Sequence, residues 1–179
     1  MPIVLTANGK ASLGTFRGTP QTLQLMKQYA LGPEGEQNFR VRQWTEAIVR
    51  DVAPKDYLSE ILALHGWAKS PVIRYTNDAL HVEQVKSPAR MLTEIEKTGK
   101  CLCDCDEVAL LLATMGLVLG REAEFVTVGF SSADVYTHVF TRLMEPRSHE
   151  WILVDTVAGT RDAEMANKVL VYKFYPVDS

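Results

Sequence analysis

The sequence has few cysteines, no excess of positive charge and no long apolar run near its start. Its three cysteines, Cys101, Cys103 and Cys105, all fall within five residues. An odd number of thiols packed so closely cannot supply the disulfide framework on which small secreted domains depend. Nineteen Lys and Arg stand against 22 Asp and Glu, a net charge of −3. No overall field draws in phosphate backbones, so nucleic acid is not a favoured partner. The longest apolar run near the amino terminus is residues 3–5, far short of a signal-peptide core or of the roughly 20 residues that cross a bilayer. A cytoplasmic protein without a membrane partner is the expectation. Internal repeats, low-complexity tracts and long linkers are missing as well.

What is present is ordinary globular composition: 179 residues, 46% apolar and 23% charged, the size of one domain. Residues 1–19 contain Asn8-Gly9, Gly14 and Gly18-Thr19-Pro20 and have weak periodicity. They read as an arm, either mobile or packed on a partner, with one short strand at 3–5. Residues 20–179 read as a single domain. Apolar residues recur at helical spacing over 20–30 and again over 36–52, where Phe39, Trp44, Ala47 and Ile48 make the stripe. A third helix after Pro54 carries Leu58, Ile61, Leu62 and His65 on one face.

Residues 71–76 read as a brief extended stretch before a turn at Asn77-Asp78. Ser87 is a good N-cap, Pro88 suits the first helical position and Gly99 supplies a stop. Residues 104–119 are almost continuously apolar from Val108 onward and end at Gly120, the pattern of a buried central helix. The period then changes to two, over 125–128, 135–143, 151–157 and 169–174. Helices first and an antiparallel sheet afterwards make an α+β order.

The chemistry gathers at the head of the central helix. Asp104 and Glu107 have the spacing of a capping box, which makes Cys105 the first helical residue. The dipole and open amides of a helix start favour the thiolate there. Asp104, Asp106 and Glu107 oppose it as like charges, so an imidazolium is needed nearby. Strand alternation places His138 with Tyr136, Phe140 and Arg142. A return strand from Trp151, with a loop at 144–149, would set His138 directly opposite Asp155 and Leu143 opposite Glu150. Opposed side chains lie about 5 Å apart at Cβ. Asp155 would then accept the Nδ1 proton of His138 and turn Nε2 to the thiol. Cys105, His138 and Asp155 become candidates for nucleophile, base and orienting acid.

These residues also carry a family resemblance. The run Cys103-Asp104-Cys105-Asp106-Glu107-Val108-Ala109-Leu110-Leu111-Leu112, followed by Leu119-Gly120 and Phe125-Val126-Thr127-Val128, resembles the core motif of the transglutaminase-like cysteine peptidase superfamily. Tyr136-Thr137-His138-Val139 and Trp151-Ile152-Leu153-Val154-Asp155-Thr156 are similar to its second and third motifs. The stretch from Val72 to Pro88 is similar to small bacterial and bacteriophage members, so the match covers about residues 20–160. The resemblance implies a papain/transglutaminase-like core and makes Cys105 the nucleophile, His138 the base and Asp155 the orienting carboxylate. Cys103 stands where the family commonly has glycine, and the second acid after the nucleophile is Glu107.

The expected activity is acyl transfer at amide bonds of a protein or peptide through a thioester, most simply as a peptidase or amide hydrolase. Protein crosslinking as a transglutaminase is the alternative, as is a silent polypeptide-binding structural protein of a bacteriophage. No cofactor is called for. The amide of Cys105 and a side chain from residues 67–78 are candidate oxyanion donors. A metal clip at Cys101, Cys103 and Cys105 lacks a second ligand pair. Cys101 and Cys103 read as neighbours that shape or guard Cys105, and a strained Cys103–Cys105 disulfide would silence it. His65 reads as core packing, His81 and His149 as solvated. Trp44, Trp67 and Trp151 read as core residues, with Trp67 or Trp151 as alternatives for lining a groove.

Overall fold

In the computed structural model, which describes residues 4–5, 10–12, 19–76, 84–129, 137–156 and 171–178, local signals set most element boundaries. Strands β1 (Val4–Leu5) and β2 (Lys10–Ser12) precede helix α1 (Thr19–Leu31). Helix α2 (Phe39–Val49) starts later than its periodicity suggests, because the Asn38 side chain accepts from the Arg40 amide and caps it there. Helix α3 (Tyr57–Ala68) begins at an Asp56 cap on the Ser59 amide. Strands β3 (Ile73–Tyr75) and β4 (Gln84–Lys86) follow. Helix α4 (Pro88–Thr98) has the start and stop read from its sequence: Ser87 accepts from the Arg90 amide, and Gly99 turns left-handed at φ 77. Strand β5 (Cys101–Cys103) leads into helix α5 (Cys105–Val118), and then come β6 (Ala123–Gly129), β7 (His138–Glu145), β8 (Glu150–Val154) and β9 (Val171–Pro176).

The architecture is α+β. Strands β8, β7, β6 and β9 form an antiparallel sheet in that order. Helix α5 packs on β6 and β7 from one side and receives α1, α2 and α3 on the others. Every residue from 106 to 116 is buried, as a helix apolar around most of its circumference requires. Two contacts fix the helix on the sheet. The Thr141 hydroxyl donates to the Ala109 carbonyl at 2.7 Å. Gly116 lets Leu143 approach so closely that a Cβ there would run into its methyl groups. Beyond α5, buried Arg121 pairs with Glu60 and lies over the Tyr57 ring at 4.3 Å, tying the start of α3 to the end of the central helix.

Several expectations change. In α2 the buried positions are Val41 and Thr45, whereas Phe39 is 72% exposed and Ala47 is exposed. Thr45 is hidden from an apolar count because its hydroxyl donates to the Val41 carbonyl. In α3 the core face is Ile61, Leu64 and Ala68, and Leu58 and Leu62 are exposed. Three short strands escaped the pattern. β2 pairs antiparallel with β4, Ala11 opposite Val85, so the described part of the amino-terminal arm joins the body of its own chain. β5 pairs in parallel with β3. The hairpin register differs too: Thr141 faces Val154 and Glu145 faces Glu150, so Leu143 faces Ile152 rather than Glu150. The turn is shorter than the one read from sequence, because Glu145 stays in the strand and its carboxylate accepts from the Arg147 and Ser148 amides. Strand residues 135–136, 157 and 169–170, the turn at Asn77-Asp78 and His81 lie outside the described residues.

Candidate active site

The head of α5 is built as its sequence implies. The Asp104 side chain accepts from the Glu107 amide and the Glu107 side chain from the Asp104 amide, a complete capping box with Cys105 as first helical residue. Two parallel strands aim this turn. β5 ends two residues before Cys105, and its partner β3 sets Tyr75 beside Cys103. The Thr76 amide donates to the Cys103 carbonyl at 2.9 Å, which prolongs the pairing towards the helix start. Cys105 is partly buried, whereas Cys101 and Cys103 are fully buried.

His138, the first residue of β7, is buried and shares its strand face with Phe140, the two rings lying 5.9 Å apart. Its Nε2 donates to Asp155 Oδ2 at 2.8 Å. The Cys105 thiol is near enough to act on the same ring. The structure therefore brings Cys105, His138 and Asp155 into one cluster. The nitrogen that meets the carboxylate is the reverse of that expected, Nε2 rather than Nδ1 serving Asp155. The register explains the reversal. Asp155 follows the last residue of β8 and comes into line with Phe140, two residues from His138. Such diagonal neighbours are about 7–8 Å apart rather than 5 Å, a span suited to the ring's far nitrogen. Asp155 has a second histidine contact, His65 Nε2 to its backbone carbonyl at 2.7 Å.

Burial alone would lower the His138 pKa. The hydrogen bonds to Asp155 and Cys105 and the negative charge those groups carry outweigh it and raise the pKa to about 9. The ring therefore holds its proton more tightly than a free imidazole does.

The like charges expected to oppose that thiolate are attenuated. Asp106 is buried; burial first, then the hydrogen bond and charge of Asp104, push its carboxyl well above the usual carboxylate range. Burial also raises Glu107 to about 7, against the opposing charge of Lys86. Glu107 accepts from the Lys86 amide at 2.9 Å and lies 3.7 Å from its ammonium. Tyr75, about half exposed, feels the site as well: burial first, then the charges of Cys105, Asp104 and Asp106, raise its phenol pKa.

The remaining candidates divide. Cys103 turns to Cys101, with sulfurs 3.0 Å apart, and the Cys101 hydrogen bond first, then burial, push the Cys103 thiol far up. Trp44 and Trp67 pack together with ring centroids 5.8 Å apart, and Trp151 lies under the Arg142 guanidinium. Sequence periodicity missed His65, since a histidine on a helix stripe carries no mark of the partner waiting 90 residues later. Among the described residues, no helix is long and apolar enough to cross a membrane.

No family model and no curated protein matches the chain. Among solved structures it is similar to one described as "a Putative Cysteine Protease from Cytophaga hutchinsonii", with a TM-score of 0.53 and 12% identity. The likeness covers 93% of this chain and 58% of that one, so this chain spans a little over half the length of its neighbour. At such identity the finding is one of fold: the α+β arrangement seen here is also that of a cysteine-protease-like structure.

Proposed function

We propose that the chain is a cysteine-dependent acyl-transfer enzyme acting on amide bonds of a protein or peptide. The observation that carries this reading is the position of His138, bonded to the Asp155 carboxylate and near Cys105, with Cys105 opening a capped helix. The fold shared with a cysteine-protease-like structure supports it. Cys105 is the nucleophile, His138 the acid and base, and Asp155 the orienting carboxylate.

The Cys105 thiolate attacks the amide carbonyl, and negative charge develops on the carbonyl oxygen. The Cys105 amide, an open donor of the first helical turn, faces that charge, and the Tyr75 phenol is the side chain of β3 best placed to assist. The His138 imidazolium gives its proton to the departing amine as the C–N bond breaks, leaving a thioester. Now neutral, His138 takes a proton from water, whose oxygen attacks the thioester and releases a carboxylic acid. Hydrolysis is the favoured outcome; a lysine amine in place of water would give a crosslink.

Mass spectrometry of peptides incubated with the protein, with and without a primary amine, tests the reading. Peptide cleavage or side-chain deamidation that disappears in Cys105→Ala is the expected result. An amine adduct would assign amine transfer instead. If wild type and Cys105→Ala leave every peptide unchanged alike, the chain is a polypeptide-binding protein without turnover.

A further inference from the structure

We propose that His65 is a positioning residue for this cluster: its Nε2–H, donated to the Asp155 backbone carbonyl, holds Asp155 within reach of His138. The inference rests on the reading of Cys105, His138 and Asp155 given above and adds a fourth residue from a different element.

Asp155 needs such a hold. Strand β8 ends at Val154, so Asp155 lies one residue past the strand. A residue just beyond a strand end is drawn from the looser part of a structure, yet its carboxylate must keep a 2.8 Å bond to His138. His65 supplies the constraint from the side. Helix α3 packs against both β7 and β8, and its opening turn is anchored independently by the Glu60 pair with buried Arg121. The 2.7 Å bond from His65 to the Asp155 carbonyl closes this support. Two hydrogen bonds then lead from α3 to Asp155 and on to His138, which lies near Cys105.

A carbonyl oxygen only accepts, so Nε2 of His65 must carry the proton. Both the Nε2–H tautomer and the imidazolium satisfy this. Packing alone does not account for the residue. The apolar work of α3 is done by Ile61, Leu64 and Ala68, and His65 sits only partly buried beside them.

The test compares wild type with His65→Gln, whose carboxamide can donate from a similar reach, and His65→Met, which fills similar space without a donor. Histidine-resolved NMR titration reads His138 directly. The expected wild-type midpoint of His138 is about 9; in His65→Met it should fall by about one unit or more and kcat should drop roughly tenfold with KM little changed. His65→Gln restores both. A wild-type His138 that titrates near its ordinary value of about 6.5 would overturn the cluster itself. A raised wild-type value left untouched by His65→Met overturns only the role of His65. Nitrogen-15 shifts of wild-type His65 provide a check that needs no variant, because a neutral Nδ1–H tautomer is incompatible with the proposed bond.

Discussion

His138 and Asp155 are joined at 2.8 Å through Nε2 although they do not face each other across the hairpin. The diagonal offset brings the far ring nitrogen to the carboxylate. It also makes the pair depend on where Asp155 is held once the strand has ended. Orientation of the imidazole is thus a product of three elements, β7, the end of β8 and α3, rather than of one hairpin.

The first prediction concerns that bond. Removing the carboxylate in Asp155→Ala takes away the first-ranked influence that raises His138, while burial, which lowers it, remains. The imidazolium then loses its proton at lower pH. In wild type, activity that needs the protonated ring should fall as pH rises through about 9; in Asp155→Ala this alkaline limb should move down, and kcat/KM should drop by about 10²-fold or more. A pH–rate profile with a limb that stays in place would separate Asp155 from His138.

The second prediction concerns the three thiols. Cys101 and Cys103 are fully buried and in sulfur contact, and the Cys103 thiol is pushed far up, whereas Cys105 is partly exposed beside His138. Iodoacetamide at neutral pH should therefore modify Cys105 in the folded protein by at least tenfold in preference to the other two, with rates set by the thiolate fraction. Peptide mapping after timed alkylation measures this. In His138→Ala the preference should shrink; equal rates for all three cysteines in the wild type would contradict the assignment.

Much of this arrangement was legible in the sequence, and what was hidden has physical reasons. The capping box, the buried helix and the Ser87 and Gly99 boundaries depend on a few adjacent residues, so Asp104, Glu107 and Val108 could be read directly. Faces within a strand also follow from alternation, which kept His138 with Phe140. Register does not. Moving the hairpin by two residues preserves every face, so alternation cannot choose between Leu143 opposite Glu150 and Leu143 opposite Ile152. The turn decided it through Glu145, whose carboxylate bonds to two turn amides. Strands β2, β4 and β5 have three residues each, too few for a period to show. The raised pKa of Asp106 is likewise a consequence of burial in the assembled fold, whereas Asp104, Asp106 and Glu107 read from sequence only as three charges.

The third prediction tests the closeness of α5 to the sheet. A side chain at Gly116 would meet the Leu143 methyl groups, and Leu143 is itself fully buried. Gly116→Val should destabilise the protein by about 1–3 kcal/mol through overpacking, read as a lower denaturant midpoint. Pairing it with Leu143→Ala should recover part of the loss from the steric conflict. Strict additivity of the two substitutions would mean that the helix and strand do not meet there.

The fourth prediction is the pH dependence of stability. Glu107 has a folded pKa of about 7, raised first by burial, against about 4.3 for an unfolded glutamate. The folded state therefore binds the proton more tightly. Its contribution is fully present below the unfolded value and is lost as pH rises through 7, a swing of roughly 3 kcal/mol. His138 acts in the same direction over a later window: raised to about 9 in the fold, it contributes most below about 6.5 and loses that contribution as pH climbs through 9. Denaturation followed from pH 5 to 9 should accordingly show stability declining in two overlapping steps. Glu107→Gln keeps an acceptor suited to the capping box and should flatten the first step while leaving the second. His138→Gln should do the reverse. A first step unchanged in Glu107→Gln would assign that proton to another group, of which buried Asp106 is the nearest.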